Sequence, residues 1–370
     1  YTVGVGTVAG ETIGFEGWSM RVRLDEETLK AVATRTNAEY FHAATAADLK
    51  SDIRSPRTRA WEGKTLSDIV RTIARVVPSC AGRLTAVWAL AVLGWSAPAA
   101  AGDRVLGTWG VNQVEGAAGG GLTPWAVIAG QGSSNQVGGS AYVTRLKTGG
   151  NYELHVTGAA VGIHDQVELN MSRWSFKLSD VVPGRKLEMT SVGVKLKVAG
   201  DVLYDQDRWL PQVAVGVQYK NADTSDLVKA LGASATSDIE VYATATKLWL
   251  GAAWGRNLIA AGAVRMTKAN QFGLLGFGGQ GQDARRLQLE GSLGIMLRDD
   301  LVLGAEYRMK PDNLAYNEAT AFLEEDHAWD VFLAWFPHRL GSLTLAWVNL
   351  GNIAGKKDQA GVYVSGQLSF

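Results

Sequence analysis

The sequence predicts an all-β protein: a closed antiparallel transmembrane β-barrel of about twelve strands, preceded by a signal peptide and a small α/β fragment. Three observations predict it. From residue 138 to the C-terminus, segments of about 10–13 residues alternate apolar with polar side chains, the period of a strand with one face in lipid and the other in a lumen. The last of them, GVYVSGQLSF, ends the chain on an aromatic residue. A stretch built like a secretory signal lies upstream, over 71–101.

Composition narrows the classes. The 370 residues carry 36 Lys+Arg against 36 Asp+Glu, and zero formal charge argues against a nucleic-acid binder. Only 8 prolines accompany 44 glycines, so the chain is not a disordered Pro/Gly-rich polymer. Mean hydropathy is −0.01, without the repeated apolar runs of about 20 residues that helical membrane proteins need. The single cysteine, Cys80, allows neither a disulfide framework nor a Cys-based zinc site. The chain opens on Tyr1 rather than Met, which reads as a truncated or processed start.

Residues 1–54 read as strand, helix, strand, helix: YTVGVGT, then DEETLKAVATRT with Asp25 as its N-cap, then AEYFHA, then ATAADLKSDI. That order implies a parallel α/β sheet. The stretches YTVGVGT, IGFEGWSMRVRLDEETLK and EYFHAATAADL resemble the C-terminal end of a bacterial von Willebrand factor A domain of the aerotolerance type. The family's Asp-x-Ser-x-Ser metal motif has no counterpart here, so no metal function carries over. Residues 55–70 look like no element and read as a linker, or as intergenic read-through with a second start at Leu66 or Val70. A genuine fusion with an uncleaved anchor is the alternative. On the two-gene reading, 1–54 shares no core with 138–370.

In 71–101, Arg71, Arg75 and Arg83 precede the apolar run 84–95, and Ala99-Ala100-Ala101 follows it. Charged region, apolar core and small-residue cleavage site (Ala99, Ala101) make a signal peptide. Its core of about 12 residues is too short to span a bilayer of roughly 30 Å as a helix. Cys80 lies before that core, whereas a lipidated cysteine follows it. Cleavage after Ala101 leaves a mature chain without cysteine, suited to an oxidising periplasm.

The Gly-rich segment 102–137 admits two readings: a further hairpin that raises the strand count to fourteen, or a segment folded into the lumen. Its Gly119-Gly120-Gly121 lacks the Lys-Ser/Thr and helix of a phosphate loop. Beyond it, strands are expected at 138–148, 151–163, 166–178, 186–199, 210–220, 238–249, 257–267, 286–298, 301–310, 327–337, 341–351 and 359–370, an even number as single-chain bacterial barrels require. In 211–220, Val213, Val215, Val217 and Tyr219 share one face, with Gln212, Gln218 and Lys220 on the other. In 286–298, Leu287, Leu289, Leu293, Ile295 and Leu297 alternate with polar residues, and in 301–310 Leu301, Leu303, Ala305, Tyr307 and Met309 do. With both ends periplasmic, the long connections 221–237, 268–285 and 311–326 all fall outside; 200–209 is a rather long inside loop. Phase slips near Ser172–Arg173 and Ser191–Val192 suggest β-bulges. Trp125, Trp174, Trp209, Trp249, Trp254, Trp329, Trp335 and Trp347 fall near strand ends, as interfacial girdles do. In Arg298-Asp299-Asp300, a three-residue turn sets Glu290 opposite Arg308 and Ser292 opposite Glu306.

Glu153, His155, Glu168, Arg173, Lys195, Lys197, Gln212, Gln218, Lys220, Glu240, Arg286, Gln288, Glu290, Arg298, Glu306, Arg308, Lys310 and Asp330 are expected to line the lumen. Mixed charge there either pairs across strands and fills the interior or lines a selective pore. Glu324-Glu325-Asp326-His327 reads as a solvated loop tip, with cation or lipopolysaccharide bridging and catalysis as alternatives. His155 reads as a lumen residue and His164 as a turn residue. No catalytic constellation, cofactor or metal is expected.

Phe370 and Leu368 on the amphipathic last strand follow the pattern of bacterial outer-membrane proteins, which implies recognition by the barrel-assembly machinery. The stretches VEGAAGGGLTPWAVIAG, LPQVAVGVQYK, TKANQFGLLGFGG, GAEYRMKPDNL and KDQAGVYVSGQLSF resemble an uncharacterised proteobacterial outer-membrane family, number 3034 among domains of unknown function, across 102–370. The resemblance implies an outer-membrane protein in contact with lipid and lipopolysaccharide and supplies no activity. The expected function is a passive channel or uptake barrel for small solutes; the alternative is a structural, envelope-organising barrel with a plugged lumen.

Overall fold

Alternation of side chains dictates most of the structure. The computed structural model describes residues 2–5, 11–15, 18–22, 26–35, 40–43, 104, 106–178, 184–206, 208–223, 225–280 and 282–370. The chain divides into two units, Tyr1–Ile69 and Val70–Phe370. The linker, the signal peptide and its cleavage site at Ala99 and Ala101 lie outside the described residues.

In the first unit, β1 (Thr2–Val5) pairs in parallel with β4 (Tyr40–Ala43), and α1 (Glu26–Arg35) lies between them in the chain. A parallel pair needs such a crossover. A hairpin of β2 (Glu11–Phe15) and β3 (Trp18–Val22) precedes the helix; it replaces what read as a connection. The second helix expected over 44–53 lies outside the described residues.

The second unit holds a two-residue hairpin, β5 (Val111–Asn112) with β6 (Ala118–Gly119), and a closed barrel of twelve strands. The barrel strands are β7 (Val137–Thr148), β8 (Glu153–Ile163), β9 (Val167–Lys177), β10 (Lys186–Ala199), β11 (Gln212–Ala222), β12 (Ser237–Ala253), β13 (Arg256–Thr267), β14 (Arg286–Arg298), β15 (Leu301–Arg308), β16 (Ala328–His338), β17 (Gly341–Asn349) and β18 (Ala360–Ser369). All neighbours are antiparallel, and β18 closes on β7 from Gly361↔Thr148 to Ser369↔Ser140. Closure leaves no unpaired edge, which lipid does not tolerate.

Leu287, Leu289 and Leu293 are 58%, 52% and 53% exposed, while Gln288, Glu290 and Ser292 between them are buried. The apolar residues therefore face outward. Tyr219, Tyr307, Trp329 and Trp347 ring the outward face towards the long loops, and Trp209, Trp249, Trp254 and Trp335 ring it towards the short turns. An apolar band between aromatic rows is the profile of a barrel face in lipid. Trp125 and Trp174 correct the girdle expectation: both are buried inside.

The expected bulges near Ser172–Arg173 and Ser191–Val192 are absent; β9 and β10 pair without a break from Lys186↔Lys177 to Leu196↔Val167. The irregularities sit instead beside the short turns, between Lys197 and Ala199, Trp249 and Ala253, Met296 and Arg298, and Trp335 and His338. What read as a phase slip is a change of surroundings along one strand. Nearer their β9–β10 connection, these strands turn Trp174, Phe176, Leu187 and Met189 inward and Arg173 and Glu188 outward. There the barrel rises above its apolar band and is built like a soluble protein, apolar side in.

Candidate functional site: the lumen and the segment that fills it

Residues 106–136 do not add strands to the barrel. Trp109, Val114, Glu115, Ala117, Leu122, Thr123, Val127 and Ile128 are buried, and the segment they belong to bonds to lumen-facing side chains all round the wall. Glu168 on β9 accepts from the amides of Ala118 (3.1 Å) and Ala129 (2.9 Å). Lys195 on β10 donates to the carbonyls of Ala118 and Trp125 at 2.9 and 3.2 Å and pairs with Glu168 at 3.0 Å. Gln212 donates to Ala126 O at 2.7 Å, and Gln218 to Glu115 O at 2.8 Å. Thr244 and Thr246 hold Pro124 O and Ala126 N, each at 2.8 Å. On β15, Glu306 accepts from Leu122 N at 2.7 Å and from Thr123 N and Oγ1 at 3.3 and 2.5 Å, and Arg308 donates to Leu122 O at 3.0 Å.

The glycines of this segment let backbone approach the wall. A Cβ on Gly120 would collide with the Glu306 carboxylate. Gly130 sits at φ 81°, where a Cβ would run into the backbone of Gly138 and Gly139. The C-terminus joins in: Phe370 O accepts from Gln131 N (3.1 Å) and Gly139 N (2.8 Å). Leu368, on the same strand, is buried.

Near the long-loop ends of β11, β12, β13 and β15, six charged side chains close a ring of alternating sign. Glu115 meets Lys220 at 2.5 Å, Lys220 meets Glu240 at 2.8 Å, and Glu240 meets Arg265 at 2.9 Å. Arg265 meets Glu290 at 2.5 Å, Glu290 meets Arg308 at 3.4 Å, and Arg308 returns to Glu115 at 2.7 Å. Five of the six come from the wall; Glu115 comes from the internal segment. Burial of this kind demands such pairing, because isolated charges out of water are costly. A short 3-10 turn, Asn270–Gly273, folds in from the β13–β14 connection and lays the Phe272 ring against Arg308, 4.6 Å from ring centre to guanidinium carbon.

The structure buries Glu168, Lys195, Gln212, Gln218, Lys220, Glu240, Gln288, Glu290, Glu306, Arg308, Lys310 and Asp330 on the lumen side. Lys197, on the same face, pairs with Asp165 at 2.5 Å and Asp201 at 3.4 Å beside the short turns. Five expectations are corrected. Glu153 and His155 alternate with buried Leu154 and Val156 and so face outward, Glu153 to Lys177 at 2.6 Å and His155 to Arg145 at 3.1 Å. Arg173 faces outward to Glu188 at 2.9 Å. These three lie on the rising part of β8 and β9, where the polar side is the outer one. Arg286 sits exposed at the outer rim against Gln282, and Arg298 pairs with Asp300 in its turn at 2.8 Å; both lie at strand ends, beyond the lumen. Glu325 is also corrected: it is buried, and its carboxylate accepts from Gln271 N at 2.9 and 3.0 Å.

Glu115 was not among the expected lumen residues. A signal for it exists: it is the one charged residue between Arg104 and Arg145.

The model of the family described as "Protein of unknown function (DUF3034)" matches residues 108–367. No curated protein matches the chain. Among solved structures, the KdgM porin is similar at 11% identity and a TM-score of 0.39, covering 62% of this chain and 99% of that one. The NanC porin is similar at 12% identity and 0.40, covering 62% and 98%. Outer membrane phospholipase A from Escherichia coli is similar at 12% identity and 0.31, covering 63% and 92%.

Proposed function

The chain belongs to the DUF3034 family, and on that premise we propose that it is a bacterial outer-membrane barrel that passes small solutes when its internal segment yields. One observation carries this reading. The wall aims Lys195, Lys220, Arg265, Arg308 and Lys310, with Glu168, Glu240, Glu290, Glu306 and Asp330, into a lumen filled by the chain's own backbone. An interior meant only to be filled is cheaper to build from apolar side chains, because a buried ion pair is weak evidence for stability. A polar wall suits a space that water and solutes enter. The contacts to 106–136 are mostly side chain to backbone, so they are replaceable by water one at a time.

The role proposed is transport, not catalysis. Phe370 and Leu368 serve recognition by the barrel-assembly machinery, and the outward band meets lipid and, outside, lipopolysaccharide. Residues 71–101 direct secretion and are cleaved after Ala101. Residues 1–54 are the tail of a separate α/β protein of the von Willebrand factor A kind; the parallel pairing of β1 with β4 around α1 supports this.

Planar-bilayer recording of the mature barrel tests the function. The intact barrel is expected to open rarely, and a version lacking 106–130 to conduct steadily. A barrel that stays closed after that deletion sinks the transport reading and leaves the structural one, which the thorough burial of the internal segment favours.

A further inference from the structure

Three cations converge on one plug carboxylate. Lys220 Nζ and Arg308 Nη2 both reach Glu115 Oε1, at 2.5 and 2.7 Å, and Arg265 Nη1 lies 3.5 Å from Oε2. Among the described residues, the wall acids paired with these cations are Glu240 and Glu290, so the ring is neutral with Glu115 in place and carries one excess positive charge without it. The fit is also incomplete: Glu115 Oε2 is buried with no hydrogen-bond partner. Both close donors crowd one oxygen, and the backbone of Glu115 is itself held, its carbonyl accepting from Gln218 at 2.8 Å. A carboxylate free to rotate meets all three cations better, and charge-assisted bonds of this kind are the strong ones.

The space beside the socket has a chemistry of its own. An apolar cavity of about 20 Å³ lies nearby, lined by Val114, Leu122, Trp174, Phe272 and Leu275 among others. Phe272 belongs to both: its ring lies against Arg308 and it lines the cavity. Leu146, Leu154, Trp174, Phe176 and Leu187 give it the inward apolar surface of β7–β10, which stays when the internal segment leaves. The lumen at this height is two-sided, charged on β11–β15 and apolar on β7–β10.

We infer that the Lys220–Arg265–Arg308 socket is a binding site for the carboxylate of a small anionic solute with an apolar or aromatic body, and that Glu115 occupies it as the chain's own stand-in. Such a solute places its carboxylate among the three cations and its body against Phe272 and the β7–β10 wall, displacing Glu115. The inference rests on the lumen being a solute path.

The test uses the refolded mature barrel in detergent, with benzoate as probe. In Glu115→Ala, millimolar benzoate is expected to raise the melting temperature by several degrees. Benzyl alcohol, benzylammonium and sodium chloride at matched ionic strength are expected not to. Wild type, with its socket filled, is expected to shift less. Adding Arg308→Gln to Glu115→Ala is expected to abolish the benzoate shift. Glu115→Gln, which keeps the side chain's length, is the second variant, read by equilibrium dialysis of labelled benzoate; it is expected to bind about tenfold more tightly than wild type, equivalent to about 1.4 kcal/mol. A Glu115→Ala shift matched by chloride or benzylammonium, one that survives Arg308→Gln, or equal dialysis binding by Glu115→Gln and wild type overturns the inference. A benzoate shift without conductance leaves the socket and removes the path; conductance without a benzoate shift removes the socket alone.

Discussion

Glu290 on β14 lies directly across the sheet from Arg308 on β15, with Oε1 3.4 Å from Nε. Each has a closer partner, Glu290 in Arg265 at 2.5 Å and Arg308 in Glu115 at 2.7 Å. The pair is therefore one link in a closed ring rather than an isolated bridge across the wall. Removing Glu290 takes one partner from each of two buried guanidinium groups and leaves the ring with an excess positive charge. Glu290→Ala is expected to destabilise the barrel by about 3–5 kcal/mol, the usual cost of breaking a buried pair from one side. Urea unfolding of the barrel in lipid vesicles measures it. Arg308→Ala also releases Leu122 O and Glu115, and in bilayer recordings it is expected to raise conductance and shift selectivity towards cations.

That register was legible because alternation forbids a slip by one residue: it would turn Leu289 and Leu293 inward and Glu290 outward. The structure reaches the expected pairing by a two-residue turn plus an irregularity, with Arg298 opposite Leu301 and Met296 opposite Val302. Period two separates the faces of a strand but does not say which face is wet. Along β14 and β15 the charged face is inward; on the upper part of β8 and β9 it is outward, because that part stands clear of lipid. Glu153, His155 and Arg173 were misplaced for this reason alone. The internal segment was hard to read for another. VLGTWGVNQVEG has the composition of a strand, and nothing local reveals that its backbone bonds to side chains of the wall instead of a neighbouring strand.

Glu306 is the anchor of that segment on β15. Glu306→Ala leaves the buried amides of Leu122 and Thr123 without their acceptor, at about 1–3 kcal/mol for each. Faster hydrogen exchange confined to 118–126 and more frequent channel openings are expected. Asp330 sits directly opposite Glu306, with both carboxylate oxygens buried and unpartnered. Like charges directly opposite across a strand pair are destabilising, and a carboxyl buried without a partner is costly. Asp330→Asn is therefore expected to raise stability and to slow exchange at Leu122; a loss of stability shows that the carboxylate has a favourable role in place.

The β15–β16 connection responds to pH through Glu325, outside the spanning strands. Burial pushes its carboxyl from 4.5 up to about 7, against the pull of Lys310, 3.7 Å away. A raised folded-state value means that the docked loop favours the protonated acid. Its contribution to stability is full below pH 4.5 and is lost as pH rises through about 7. The melting temperature of the barrel is expected to fall over that interval, and Glu325→Gln to flatten the fall. An unchanged profile in Glu325→Gln assigns the titration to another group.

The outward face is testable at Leu293, 53% exposed near the middle of β14 and flanked across the sheet by Ala260 and Ala305. If this face is in lipid, arginine there must bury its charge in hydrocarbon, at about 2–4 kcal/mol near the bilayer midplane. The same change at Trp347, in the aromatic row, costs less in charge burial because the interface is close, about 0–1 kcal/mol. Leu293→Arg is thus expected to lower stability in vesicles well beyond Trp347→Arg, and to do so much less in detergent micelles, which deform around the charge. Equal losses in vesicles and micelles would place Leu293 in a protein contact, not in lipid.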